Sequence, residues 1–264
     1  MMNICVCIKQ VPASSNVTID PVTGTLVRDG NNTKMNPYDL YAIETALKIK
    51  EMADDATVKA LTMGPPAATS ILEEALWMGC DDGYLLTDRK FAGADVVATS
   101  FTLSQGIKFM GKYDLVVCGK QTTDGDTAQV GAELAHFLNI PYVCYVDKII
   151  EVKEKSIVVR TNMDKTFETL EISFPCLITV EKNNESPRLP SYKRSVAFKD
   201  HAMHIVTFEK FFDQNEANYG LKGSPTQVER MFNPIKDNKK EMLNEKESSF
   251  ASQINEILKD GKFL

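Results

Sequence analysis

The sequence holds only three histidines, and its six cysteines form no C-x-x-C pair. A zinc site wants three or four ligands, so the spacing His201-x-x-His204 points to structural or solvated side chains and not to a metal. His136 falls on a helix flank. No Ser/His/Asp constellation or metal cluster stands out, which leaves no evident acid–base or metal-hydrolytic centre. There is no Walker loop and no G-x-G-x-x-G. No apolar run approaches the ~20 residues of a membrane span. The first residues lack a basic stretch followed by a long apolar core, so a signal peptide is not expected. Basic excess is also missing. Thirty Lys and Arg stand against 36 Asp and Glu, a net charge of −6, which argues against nucleic acid or an anionic membrane as main partner.

What is present is ordinary for a globular protein: 264 residues, 43% apolar and 25% charged, enough for one large domain or one domain with appendages. Cys5, Cys7, Cys118, Cys144 and Cys176 all lie in apolar, strand-like runs. Buried reduced thiols follow, and with them a cytoplasmic protein.

Residues 3–9 read as a first buried strand that Pro12 stops. Residues 17–27 alternate around a Pro/Gly turn, as a hairpin does. Asn36 caps a helix that opens with Pro37 and repeats Leu40, Ile43, Ala46 and Leu47 at helical spacing. A second strand over 58–63 breaks at Gly64-Pro65-Pro66, and a helix follows to Gly79. A short strand is expected over 83–86, then a helix over 94–110 burying Val97, Phe101, Leu103 and Ile107. The run 115–118 is the next strand, and Val130, Leu134, Phe137 and Leu138 mark its helix, which Asn139-Ile140-Pro141 ends. A fifth strand covers 142–146. Alternation over 149–152, 157–160 and 167–172 predicts antiparallel strands appended to the sheet, and 175–180 reads as one more buried strand. Residues 183–200 lose periodicity and read as a long exposed loop, a docking surface or a plain connection. Beyond about residue 233 the chain is polar, then amphipathic and helical over Phe250, Ile254, Ile257 and Leu258. Such βα repeats predict an α/β fold: a Rossmann-like, doubly wound, mostly parallel sheet with appended antiparallel strands and a C-terminal arm.

The stretch most able to hold a ligand is 118–131, a strand, a polar Gly-bearing loop and a helix. That geometry sets N–H groups and a helix N-terminus against an anion. Gly119 and Gly125 permit close approach or positive φ, and Asp124, Asp126 and Thr127 can cap the helix. Two carboxylates beside a phosphate would repel it, so at least one Asp is expected to cap or to meet a sugar hydroxyl. Loops 9–14, 63–66 and 119–127, joined by residues 36–39, would converge at the carboxyl edge of the sheet as a mononucleotide site. A bare strand-to-helix turn is the plainer alternative.

Several stretches together resemble the β subunit of electron-transfer flavoproteins: Val6-Cys7-Ile8-Lys9-Gln10-Val11-Pro12; Met35-Asn36-Pro37-Tyr38-Asp39 with Glu44; Met63-Gly64-Pro65 and the later Ala75-Leu76-Trp77-Met78-Gly79-Cys80-Asp81; and Gly119-Lys120-Gln121 with Asp124, Asp126 and Gln129. The family's signature is similar to Val158-x-Arg160, Glu168-x-Leu170 and Pro175-x-Leu177-Ile178-Thr179, with departures at Met163 and Lys165. The resemblance implies a heterodimer with an α subunit carrying FAD. It also implies a dehydrogenase-recognition loop at Pro187-Arg188-Leu189-Pro190-Ser191-Tyr192. One branch of the family holds structural AMP on this chain. Another holds a second FAD and meets NADH, sending electrons to ferredoxin and to a dehydrogenase, and the run from Asp124 to Gly131 is similar to that branch.

On this basis nucleotide contacts are expected from Cys7, Asn36, Pro37, Tyr38, Asp39, Met63, Gly64, Gly119, Lys120, Gln121, Thr122, Thr123, Asp124, Gly125, Asp126, Thr127, Ala128, Gln129 and Val130. Ser224 and Thr226, in a Gly/Ser/Thr loop, join them. Lys9 either lends positive charge or is solvated. A nucleotide-binding domain is expected over 1–232, with an appended hairpin near 148–173 and a recognition loop near 183–200. An arm over 233–264 would pack on the partner subunit. AMP in place of FAD is the alternative within the family, and a nucleotide-hydrolysing α/β protein is the alternative outside it.

Overall fold

A computed structural model describes residues 1–13, 18–19, 26–27, 32–53, 55–182, 186–229 and 249–263. The N-terminal apolar run forms β1 (Met2–Cys7), with Ile4, Cys5, Val6 and Cys7 all buried, as a strand covered on both faces requires. Pro12 does not stop that strand. β2 (Gln10–Pro12) is a short strand of its own, antiparallel to β5 (Thr33–Met35), with Pro12 at its end. The expected hairpin is partly visible, as β3 (Thr18–Ile19) pairs antiparallel with β4 (Leu26–Val27). The turn between them lies outside the described residues.

The βα repeats follow in order: α1 (Pro37–Met52), β6 (Ala56–Met63), α2 (Thr69–Met78), β7 (Asp82–Leu86), α3 (Val96–Met110), β8 (Leu115–Gly119) and α4 (Val130–Leu138). Asn139 adopts a left-handed conformation, φ 55°, and closes α4. Val97 and Phe101 of α3 are only half-buried, while Ser100, Thr102, Ser104 and Gln105 are buried. The burial of these hydroxyls is tolerated because they bond within the helix: Ser100 Oγ donates to the Val96 carbonyl and Thr102 Oγ1 to the Ala98 carbonyl, both at 2.7 Å.

β9 (Tyr142–Val152) merges two expected strands into one. Its first part runs parallel to β12 (Cys176–Val180), and its second part pairs antiparallel with β10 (Ser156–Asn162). Register shifts in both pairings and a positive φ at Tyr145 mark an irregularity that lets one strand serve two partners. β11 (Phe167–Ser173) completes the extension. The expected loop over 183–200 instead contains a short helix, α5 (Tyr192–Ala197), and the chain then adds β13 (His204–Val206) parallel to β7.

The nine-stranded sheet has the order β11-β10-β9-β12-β8-β1-β6-β7-β13. From β9 to β13 in that order neighbouring strands pair in parallel; β10 pairs antiparallel with both β9 and β11. Side-chain alternation splits the core into two layers. Ile4, Val6, Val58 and Val117 pack with α1 and α2. Cys5, Cys7, Val116 and Leu177 pack with α3 and α4. Gly131 lets α4 lie close on the sheet, since a Cβ there would sit 2.4 Å from Thr179 Cγ2. From β1 the chain winds out through β6 and β7, then returns to place β8 on β1's other side. The crevice between β1 and β8 is therefore the switch point, where ligands of such sheets bind.

The chain divides into two compact units, residues 1–229 and 230–264. Within the second unit, α6 (Phe250–Asp260) has no buried residue. All six cysteines are free thiols. No helix among the described residues is long and apolar enough to cross a membrane.

Candidate functional site

At the switch point the local sequence Asn-Pro-x-Asp builds a buried polar node. Asn36 precedes α1, but its side chain makes no capping bond to the helix backbone. Its fully buried side chain reaches elsewhere: Nδ2 donates to Asp39 Oδ1 and to the Gln121 carbonyl, both at 2.9 Å, and Oδ1 accepts from the Thr123 N–H at 3.2 Å. Asp39 Oδ2 accepts the Lys9 N–H at 2.7 Å. Burial pushes the Asp39 pKa up to about 7, against the opposing pull of these donors. Gly119 is required by the close approach: a Cβ would lie 2.4 Å from Asp39 Oδ1. The ends of β1 and β8 and the start of α1 are thus tied through two side chains.

The loop beyond β8 hangs from that node. The Lys120 N–H donates to the Val180 carbonyl, and its ammonium lies 2.6 Å from Glu181. Asp126 N–H turns back to the Thr122 carbonyl at 2.9 Å, and Gln121 Nε2 donates to Asp126 Oδ1. Asp126 and Ala128 hold left-handed backbone, φ 52° and 54°. Gly125, a candidate for positive φ by sequence, does not adopt it; a Cβ there would meet only Thr122 Oγ1, at 3.5 Å. The capping expectation also changes. Asp124 is bound to Lys9 at 2.8 Å, and Asp126 to Gln121. Gln129 stands at the N-cap with no side-chain bond, so the leading N–H groups of α4 lack a side-chain acceptor.

Of the other expected residues, Cys7 is buried at the end of β1, directly beside Cys118. Gly64 N–H is taken by the Leu86 carbonyl at 3.0 Å, at the same edge as Met63. Pro37 and Tyr38 are half-buried beside the node, and Thr122 and Val130 are half-buried within the loop region; Thr127 is exposed. Ser224 and Thr226 are brought to a different partner. The Ser224 hydroxyl accepts the Asp95 N–H at 2.8 Å, and Thr226 donates N–H and Oγ1 to Asp95 Oδ2 at 2.9 and 2.8 Å. Asp95 caps α3. His201 and His204 clasp opposite oxygens of Asp82, at 3.1 and 2.9 Å, and no cluster suited to a metal ion occurs among the described residues.

A second irregular segment is fixed on the side of α1 and α2. The Arg188 N–H and Nε donate to Glu44 Oε2 at 2.9 and 2.8 Å, and Nη2 reaches both Glu44 and Glu51. Against the upward push of burial, Arg188 holds the Glu44 carboxyl below its usual range. Arg194 donates to the Leu76 and Cys80 carbonyls at 2.7 and 2.6 Å, satisfying the end of α2. Leu189 and Tyr192 then face outward, 86% and 84% exposed.

The frame is that of a doubly wound α/β protein whose loops gather at the carboxyl rim of its switch point. The electron transfer flavoprotein domain model matches residues 23–204. The chain is 43% identical to a caffeyl-CoA reductase–Etf complex subunit, CarD, of Acetobacterium woodii, over 97% of this chain and 98% of that protein. It is 41% identical to the electron transfer flavoprotein subunit beta of Clostridium acetobutylicum over the full length of both. It is 40% identical to protein FixA of Sinorhizobium fredii, over 97% and 92%. The chain belongs to the electron transfer flavoprotein family, as a β subunit acting in electron transfer.

Proposed function

We propose that this β subunit binds FAD at the β1/β8 rim and takes electrons from NADH. One electron would go to ferredoxin, the other through the FAD of an α subunit to a flavin dehydrogenase or reductase, of acyl-CoA type. The observation that carries this reading is the uncapped first turn of α4, set beside open space at Gly125. A pyrophosphate needs donors and room next to them, and the free helix start and the lack of crowding at Gly125 support the reading. The flavin, when bound, supplies the one- and two-electron chemistry.

The chain's own residues grip and orient. N–H groups at the start of α4 would meet the diphosphate, and Thr122, Thr123, Thr127 and Gln129 would offer bonds to ribose or phosphate. Asn36 and Asp39 keep the loop in place. Residues 187–195, with Leu189 and Tyr192 outward, would dock the dehydrogenase. Residues 1–232 would form the nucleotide-binding domain, with Ser224 and Thr226 at its rim, and 233–264, including α6, an arm packed on the α subunit. An 11-residue amphipathic helix is marginal alone, which favours a partner. A cytoplasmic location suits six free thiols.

Extraction of nucleotide from the purified subunit tests the reading. FAD is expected, and AMP alone would reject it in favour of a structural nucleotide. Gly125→Glu should expel a dinucleotide by bulk and charge while the fold persists, because a Cβ at 125 is unhindered. Unchanged flavin content in that variant would count against the placement.

A further inference from the structure

The rim is short of positive charge. Asp124 and Asp126 stand on the loop, and Asp39 lies beneath it. Two lysines are near. The Lys120 ammonium is already committed to Glu181 at 2.6 Å and lies 5.0 Å from the centre of the Tyr145 ring. The other, Lys9, donates from Nζ to both carboxylate oxygens of Asp124, each at 2.8 Å.

We propose that Lys9 is the charge-compensating residue of this site: by cancelling Asp124 it lets the uncapped start of α4 accept a phosphate, and it does not itself grip the phosphate. The inference rests on the nucleotide reading above and adds a residue role to it. Both partners are hung from the buried node. The Lys9 N–H is held by Asp39, and the Lys9 carbonyl accepts the Asn36 N–H at 2.9 Å. Thr123, next to Asp124, gives its N–H to Asn36. The backbones on either side of the pair, 115 residues apart, are thus held by bonds to the buried Asn36 and Asp39, while the ammonium–carboxylate contact itself lies at the surface, with the Lys9 side chain 44% exposed.

The Asp124 side chain is 25% exposed, so water screens its charge only in part. Burial pushes its carboxyl upward, yet Lys9 and neighbouring donors hold it below the usual range, so it is ionised at neutral pH. Stripped of Lys9, this carboxylate would stand bare beside the donors meant for an anion and would repel it.

The test is a double-mutant cycle on the full-length chain, with ADP as probe in titration calorimetry. Lys9→Met should weaken ADP binding about tenfold. Asp124→Asn, which leaves the Lys9 charge uncancelled, should tighten it by up to about tenfold, and the double variant should return to within about threefold of wild type. If Lys9→Met loses nothing, the proposal fails. It also fails if the double variant stays as weak as Lys9→Met, because Lys9 would then be a direct phosphate ligand or a purely structural strut. A wild-type chain that binds no ADP would sink the nucleotide reading itself. Wild-type binding with an unrescued cycle would sink only the role given to Lys9.

Discussion

Two irregular segments are fixed to the same helix by opposite means. The loop over 119–129 is held at the start of α1 by Asn36 and Asp39, through hydrogen bonds made by buried side chains. The segment over 186–197 is held further along α1 by Glu44 and Glu51, through ion pairs open to water on the Arg188 side. The first arrangement leads into a helix, α4, whose N-cap makes no side-chain bond. The second leaves apolar side chains facing outward. One helix thus anchors both a polar loop and a segment with exposed apolar side chains. The anchoring chemistry follows the burial of the anchor, not the task of the segment it holds.

The sharpest way to break this contrast is at Asp39. Asp39→Ala removes the acceptor of Asn36 Nδ2 and of the Lys9 N–H, and a loss of about 3 kcal/mol in chemical unfolding is expected. The same carboxyl gives a pH signature. Its folded pKa of about 7 lies above the ~3.9 of an unfolded Asp, so the folded state binds the proton more tightly. Its contribution is fully present below pH ~3.9 and is lost as pH rises through about 7. Stability measured across that window should fall for the wild type, and Asp39→Asn should lack this component.

Arg188→Ala addresses the other anchor. It should cost about 2 kcal/mol, because it strands the Glu44 carboxylate with burial opposing its charge. Faster amide exchange should appear over 186–197 and not over 119–129; equal loosening of both would mean that the two anchors are not independent. The smallest effect serves as a control. Thr62 Oγ1 is buried without a hydrogen-bond partner. Thr62→Val should stabilise by up to about 1 kcal/mol, read as a raised melting temperature, and should disturb neither segment.

Much of the sheet was legible because its strands are continuous apolar runs between Gly/Pro breaks, as at 58–63 and 115–118. Tyr142 to Val152 was harder to read. The irregularity at Tyr145 offsets the alternation midway, so one strand reads as two. The site was legible as a set of loops and not as a set of bonds. Asn36 before Pro37 carries every local mark of a cap, but its partners at Gln121 and Thr123 lie 85 and 87 residues away. Asp124 and Asp126 look like caps for the same reason and are taken by Lys9 and Gln121 instead. The helix over 192–197 escapes periodicity altogether, because none of its residues is buried.

The sheet order carries a consequence for biosynthesis. β8 and β9 both pair with β12, which leaves the ribosome after either of them. Until it emerges, each of the two earlier strands carries an unfilled flank, and mispairing between them would shut out the late arrival. The local antiparallel ribbon of β9, β10 and β11 can form meanwhile and keep β9 occupied on its other side. Closure of the central layer therefore waits on the last inserted strand, so a nascent chain halted just short of residue 176 should be the species most prone to sticking.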